Sequence, residues 1–181
     1  GCGIMKDDIL LSVREHATSK IKDIPGLESV STYGFRGEAL SSIASISDVV
    51  ILSKASGETE GSRLESSGGN ITVSGFAGVQ GTTVIVENLF FNTPARKKFL
   101  RSRKTELRSI RDTILKTALA LYGISFTFDV DGKREITLPA VNELDDRIRQ
   151  VFGSQVLNSL YREDLADLKV KLKGYLSRPD F

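Results

Sequence analysis

"TYGFRGEALSSI", residues 32–43, sets two glycines, a cation and an acid directly ahead of an apolar run with helical spacing. Gly34 and Gly37 bracket Phe35 and Arg36. Glu38 opens the run, in which Ala39, Leu40, Ile43 and Ile46 recur at intervals of three and four, the period of an amphipathic helix. A glycine hinge entering a helix has two readings. It is a turn between elements, or it is an anion site, because the unpaired N–H groups and dipole at a helix N-terminus attract phosphate. Glycine also lets a ligand approach the backbone closely. Taken alone, the hinge leaves both readings open.

The rest of the chain narrows the choice. Its 181 residues suffice for a buried core, and 40% hydrophobic with 27% charged residues is an ordinary globular composition. The formal net charge of +2 is too small to indicate a nucleic-acid partner, so only local clustering of charge argues for one. Cys2 is the single cysteine, which excludes an internal disulfide and favours a reducing compartment. No apolar run approaches the ~20 residues needed to span a bilayer. These features predict a soluble intracellular protein with no membrane partner, cytoplasmic if bacterial and nuclear if eukaryotic. His16 is the only histidine and reads as a packing residue, with no second histidine or paired cysteine to make a metal site. "GCGIM" at the start and "SRPDF" at the end read as cuts within a longer parent.

Along the chain, 6–22 and 38–47 carry helical periodicity, with Asp7 and Asp8 in the first turn where the dipole favours them. "DVVILSK" (48–54), "ITVSGFAG" (71–78) and "GTTVIVENLF" (81–90) are β-branched and strand-like, and 63–66 reads as a short strand between glycine-rich loops. Thr93 as cap and Pro94 as first residue start a long helix whose face is Leu107, Ile110, Ile114, Ala118 and Leu121, closed by Gly123. "ISFTFDV" and "REITL" flank "DGK" as a hairpin, 142–152 is helical, and "LKVKLKGYL" (168–176) is a strand. The order predicts an α+β layer, helices on a largely antiparallel sheet, with a domain change near "PAVNELDD". Neither βαβ alternation nor the GxxxxGK[ST] phosphate loop occurs, so any nucleotide site is of another kind.

From Arg96 to Arg111 the cations Arg96, Lys97, Lys98, Arg101, Arg103, Lys104, Arg108 and Arg111 meet a single acid, Glu106. This is either a solvated helix face or a phosphate-binding stripe without base readout, since no aromatic residues interleave to stack bases. Arg96 alternatively stabilises the turn after Pro94.

Taken in order, "GCGI", "HATSKI", "TYGFRGEALSSIASIS" and "GTTVIVENLFFNTPARKKFL" closely resemble the N-terminal ATPase region of the MutL family of DNA mismatch-repair proteins, a branch of the GHKL superfamily. "FRGEAL" and "NTPARKKFL" are specific to that branch, and the resemblance runs from Gly1 to about Phe152. It implies a GHKL-type α/β sandwich, with residues 1–140 forming the ATPase domain without its N-terminal segment. Residues 141–181 would begin a second domain of the ribosomal-S5 type. It implies that Gly1 and Gly3 border the adenine pocket, that Thr18, Ser19 and Lys20 lie near the nucleotide, and that Thr82 lines the pocket floor. Gly34, Phe35, Arg36 and Gly37 would form a lid over the triphosphate, with Glu38 starting the helix behind it. Arg36 either touches phosphate or faces solvent or a partner subunit. The resemblance also favours DNA binding by the basic run, with Lys98, Arg101, Arg103 and Lys104 as the candidates.

The same resemblance implies ATP and Mg2+ as cofactors. Its implied partners are DNA of any sequence, a MutS-type mismatch-recognition protein, and a second copy or a paralogue in a dimer. It places the family's general-base glutamate and magnesium-ligand asparagine on a helix ahead of the GCG turn, and a γ-phosphate lysine later in the second domain. None of these is among the 181 residues, so no catalytic and no metal-ligating residue is assigned here. The chain alone is expected to be a very poor ATPase. Two functions follow from different classes: an ATP-driven repair protein as the parent, or a non-catalytic DNA-binding or interaction module as the chain itself.

Overall fold

Alternation of aliphatic and polar residues over "DVVILSK" makes β1 (Asp48–Lys54), whose side chains are buried and half-buried in turn. In the computed structural model, which describes residues 1–15, 37–167 and 171–177, β1 is the middle of an antiparallel four-stranded sheet. β2 (Gly61–Ser67) and β4 (Gly81–Glu87) flank it, and β3 (Asn70–Phe76) pairs with β2, giving the order β3-β2-β1-β4. The register sets Ile51 opposite Leu64 on one side and Val84 on the other. Ile51 and Leu64 are fully buried, a contribution of about 2 kcal/mol each from removal of apolar surface. With Val49, Ile9 and Val13 they form the core of this unit, against which Ile4, Leu10, Leu40, Ile43 and Ala44 pack.

Two short helical pieces supply those residues: a 3-10 turn, Leu10–Val13, and α1 (Ala39–Ala44). The helix expected over 6–22 is therefore replaced, within the described residues, by one turn. Arg14 leaves it in an extended conformation (φ −88°, ψ 142°), and the Ser12 hydroxyl donates to the Ile9 carbonyl at 2.6 Å, competing with continued helix. The end of α1 is tied to the loop after β4. Phe90 N–H donates to Ile46 O at 2.7 Å, and the Asn92 amide donates to Ser45 O at 2.8 Å. These bonds hold Phe90 at φ +65°, an unusual conformation for a bulky residue. At the opposite edge of that loop Asp48 accepts from the Ser67 hydroxyl (2.5 Å) and the Asn88 amide (2.7 Å), which keeps its carboxyl below the usual range.

The single long helix expected from Pro94 is instead two, α2 (Pro94–Lys98) and α3 (Arg103–Ala120). Ser102 starts the second, its hydroxyl accepting from Thr105 N–H at 3.3 Å. Thr93 makes no side-chain cap. The chain divides into two compact units between these helices, Gly1–Leu100 and Arg101–Phe181. In the second, α3 and α4 (Leu144–Phe152) pack on the hairpin β5 (Phe126–Val130) and β6 (Lys133–Leu138), around buried Ala118, Ile136 and Leu138. Asp131 and Gly132, both with positive φ, make the tight turn expected of "DGK". A further helix, α5 (Ser154–Ser159), and hairpin, β7 (Leu160–Ala166) with β8 (Lys171–Ser177), follow. Only the last of these strands was legible as one, since "LYREDLA" lacks both β-branching and clean alternation.

Arg147 on α4 is fully buried. Its guanidinium donates to Tyr122 O (2.8 Å), Ile124 O (2.6 Å) and Gln150 Oε1 (2.9 Å) and lies over the Phe126 ring. Burial lowers its pKa from the ordinary arginine value.

Candidate nucleotide site

The glycine turn at the start of the chain is built into the end of β1. Gly3 adopts φ +81°, and a Cβ there would stand 2.0 Å from the Lys54 carbonyl oxygen, so only glycine fits. Cys2 O accepts from Ser56 N–H at 3.1 Å, and Ile4 N–H donates to the Ser53 hydroxyl at 2.7 Å. The Ser53 oxygen also lies 2.8 Å from Thr82 Oγ1 and 3.2 Å from Gly81 O. Gln80 reaches Gly1 O with its amide at 3.3 Å. Of the expected residues, Thr82, itself exposed, bonds the buried Ser53 hydroxyl, which also holds Ile4 beside Gly3, while Gly1 touches Gln80.

A second clamp holds the same turn. Glu58 accepts from Lys6 N–H (3.0 Å) and Ala55 N–H (3.2 Å), and these backbone bonds hold its carboxyl below the usual glutamate range. Neither Ser53 nor Glu58 was singled out from sequence. Ser53 had a usable signal: alternation through "DVVILSK" places it on the apolar face, where a hydroxyl needs partners.

At the other expected side of the site, Gly37 has φ +65° and Glu38 precedes the first residue of α1. The remaining candidates, Thr18, Ser19, Lys20, Gly34, Phe35 and Arg36, and His16 with them, lie outside the described residues. Among the described residues no group of three or more His, Cys, Asp or Glu side chains is placed to hold a metal ion.

In the basic stretch all four DNA candidates are exposed, but they differ in what they hold. Arg101 is engaged by Glu106 (Nε to Oε1, 3.0 Å) and Ser109 (3.0 Å), and its hydrogen bonds keep the Glu106 carboxyl below its usual range. Arg103 pairs with Asp131 of the hairpin turn, an acid from outside the stretch. Lys98, at the end of α2, and Lys104, in the first turn of α3, form no ion pair among the described residues. No described helix is long and apolar enough to cross a membrane.

No family model matches the chain. It aligns with proteins described as DNA mismatch repair protein MutL. The one from Halothermothrix orenii is 39% identical over 182 residues, covering all of this chain and 28% of the relative. The one from Thermodesulfovibrio yellowstonii is 40% identical over 176 residues, covering 97% and 32%. The chain thus spans under a third of the length of these relatives. Among solved structures it is similar to the Aquifex aeolicus MutL ATPase domain complexed with ADP, with TM-score 0.70 and 30% identity, covering 98% of this chain and 62% of that one. It is also similar to the N-terminal domain of a DNA repair protein, with TM-score 0.73 and 27% identity, covering 98% and 56%. The expected α+β arrangement is the one these domains share. On its fold and on similarity that runs through nearly all of its residues, the chain belongs to the MutL family of DNA mismatch-repair proteins.

Proposed function

We propose that these residues form part of the ATP-binding region of a MutL-type repair protein. In this reading the nucleotide's base sits against Gly1, Gly3 and Thr82, and 34–37 closes over the phosphates with Gly37 as hinge. Closure is linked to dimerisation, to DNA and to a MutS-type partner. The observation that carries the reading is the meeting of Ile4, beside Gly3, and Thr82 at Ser53, in a chain similar along 98% of its length to a MutL ATPase domain complexed with ADP. The domain limits 1–140 and 141–181 belong to the same reading, and put the border between β6 and α4, inside the second compact unit.

Hydrolysis requires a base to take the proton of the attacking water and a cation to neutralise phosphate charge. No residue of this chain is assigned either role, and the chain by itself is proposed to turn over at background. The exposed Lys98 and Lys104 favour a second role, sequence-independent DNA binding. Titration of ATP and ADP into the full-length protein, with and without Gly37→Ala, tests the nucleotide reading. Loss of affinity with little change in thermal stability is expected, because a Cβ at φ +65° costs lid closure more than it costs the fold. Undiminished affinity and turnover in Gly37→Ala would remove the lid assignment.

A further inference from the structure

Phe99 interrupts the basic run between Lys98 and Arg101, so the run does carry one aromatic ring. That ring is 85% exposed, more than any other aromatic side chain among the described residues. Its backbone is fixed. Phe99 N–H donates to Arg96 O at 3.1 Å and Leu100 N–H to Lys97 O at 3.3 Å, closing the last turn of α2 at helical angles (φ −85°, ψ −4°). Arg96 and Phe99, three residues apart, are neighbours on the surface of that turn. Arg96, Lys97 and Lys98 are all exposed and form no ion pair among the described residues. No acid occurs in the chain between Glu87 and Glu106. Cations in the last turn of a helix suit its dipole, which accounts for these three without a ligand. The dipole does not account for the ring, which forgoes burial by standing in water.

We propose that Phe99 is a stacking platform for an unpaired base, with Arg96, Lys97 and Lys98 neutralising the phosphates beside it, so that this surface favours single-stranded over duplex DNA. The inference rests on the DNA-binding reading above and adds to it which form of DNA is chosen, and by which side chain. The cations alone do not make that choice, since both forms present phosphates. A phenyl ring does. It has no donor or acceptor with which to read a base edge, and in a duplex the faces of the bases are taken by their neighbours in the stack. An unpaired base has a free face. Stacking accepts any of the four bases, which keeps the binding independent of sequence.

The test is equilibrium binding by the full-length protein of three ligands of equal length: a single strand of mixed sequence, the duplex made from it, and an abasic strand that keeps the phosphates and lacks the bases. Phe99→Ala is expected to lower affinity for the single strand about tenfold, within the range of one stacked base, and to leave the duplex, the abasic strand and the salt slope unchanged. Phe99→Trp should restore the single strand, and the emission it adds should be quenched by that strand and not by the abasic one. Lys98→Gln, by contrast, should weaken all three and reduce the single-strand slope of log K against log salt by ~0.7. Thermal unfolding accompanies each variant. If Phe99→Ala does not fold, quenching in Phe99→Trp carries the test alone, and quenching by both strands or by neither overturns the proposal. Equal loss of affinity for all three ligands in Phe99→Ala, or no loss for the single strand, would overturn it while leaving the DNA reading intact. Binding of none of the three by wild type would overturn that reading and this one with it.

Discussion

Two buried polar side chains, Ser53 in the first unit and Arg147 in the second, are both fully enclosed, yet they are built to opposite ends. Arg147 spends its guanidinium on carbonyls of its own chain and on Gln150, fastening α4 to the segment between α3 and β5. The Nε of Arg147, buried with the rest, has no partner among the described residues, and the third bond of the guanidinium goes to Gln150, which is exposed. Ser53 joins a glycine turn to two strands, and one of its partners, Thr82, is exposed and has lone pairs left over. Burial of a polar group is thus a poor sign of a site by itself, because burial demands partners in either case.

The change expected to damage the first cluster most is Gly3→Ala. Its Cβ would meet the Lys54 carbonyl at 2.0 Å in a conformation that disfavours any side chain, and we expect a loss of about 4 kcal/mol in denaturant unfolding together with loss of nucleotide binding. A wild-type transition midpoint would mean that the turn is not fixed to β1 at all. Arg147→Ala comes next, at about 3 kcal/mol, from the void left behind and the stripped Ile124 carbonyl. Nucleotide affinity should be unaffected at temperatures where the protein stays folded. Arg147→Met sharpens the contrast: recovery of most of the loss would show that volume, and not hydrogen bonding, is what Arg147 supplies.

The exposed cations give a smaller and more selective effect. Lys104→Gln should lower affinity for duplex DNA of any sequence and reduce the slope of log K against log salt by ~0.9, one phosphate contact. Arg101→Gln should do less, since Arg101 is already held by Glu106 and Ser109. Binding on two unrelated sequences at three salt concentrations checks both, and identical slopes for all three proteins would reduce the stretch to a solvated helix face.

The smallest effect is one of pH. Glu58 has its carboxyl pKa depressed in the folded chain by the amides of Lys6 and Ala55, so its contribution is fully present above the unfolded value of about 4.3 and is lost as pH falls through the lower, folded one. Hydrogen exchange at those two amides should lose protection in that acidic range, and Glu58→Gln should abolish the pH dependence. Protection that ignores pH would show that the clamp does not hold in solution.

Much of this was readable in the chain. The strands at 48–54, 71–76 and 81–87 follow from β-branched alternation, and the turn at Asp131–Gly132 from local backbone chemistry. The family followed from four ordered motifs, and with it the candidate residues Gly1, Gly3 and Thr82. Other features were beyond it. The 6–22 periodicity continues past the point where Arg14 turns extended, and the break between α2 and α3 lies in a stretch that still reads as helix. In both places tertiary packing and side-chain bonds outweigh weak propensity. Sequence determined the elements and the kinds of residue that could serve a nucleotide, because periodicity and glycine conformations are local properties. Tertiary structure alone decided that Ile4, Gly81 and Thr82 converge on Ser53, and that Arg103 finds Asp131, because hydrogen bonds and ion pairs join atoms that pairing of distant strands and turns brings within 3 Å or so.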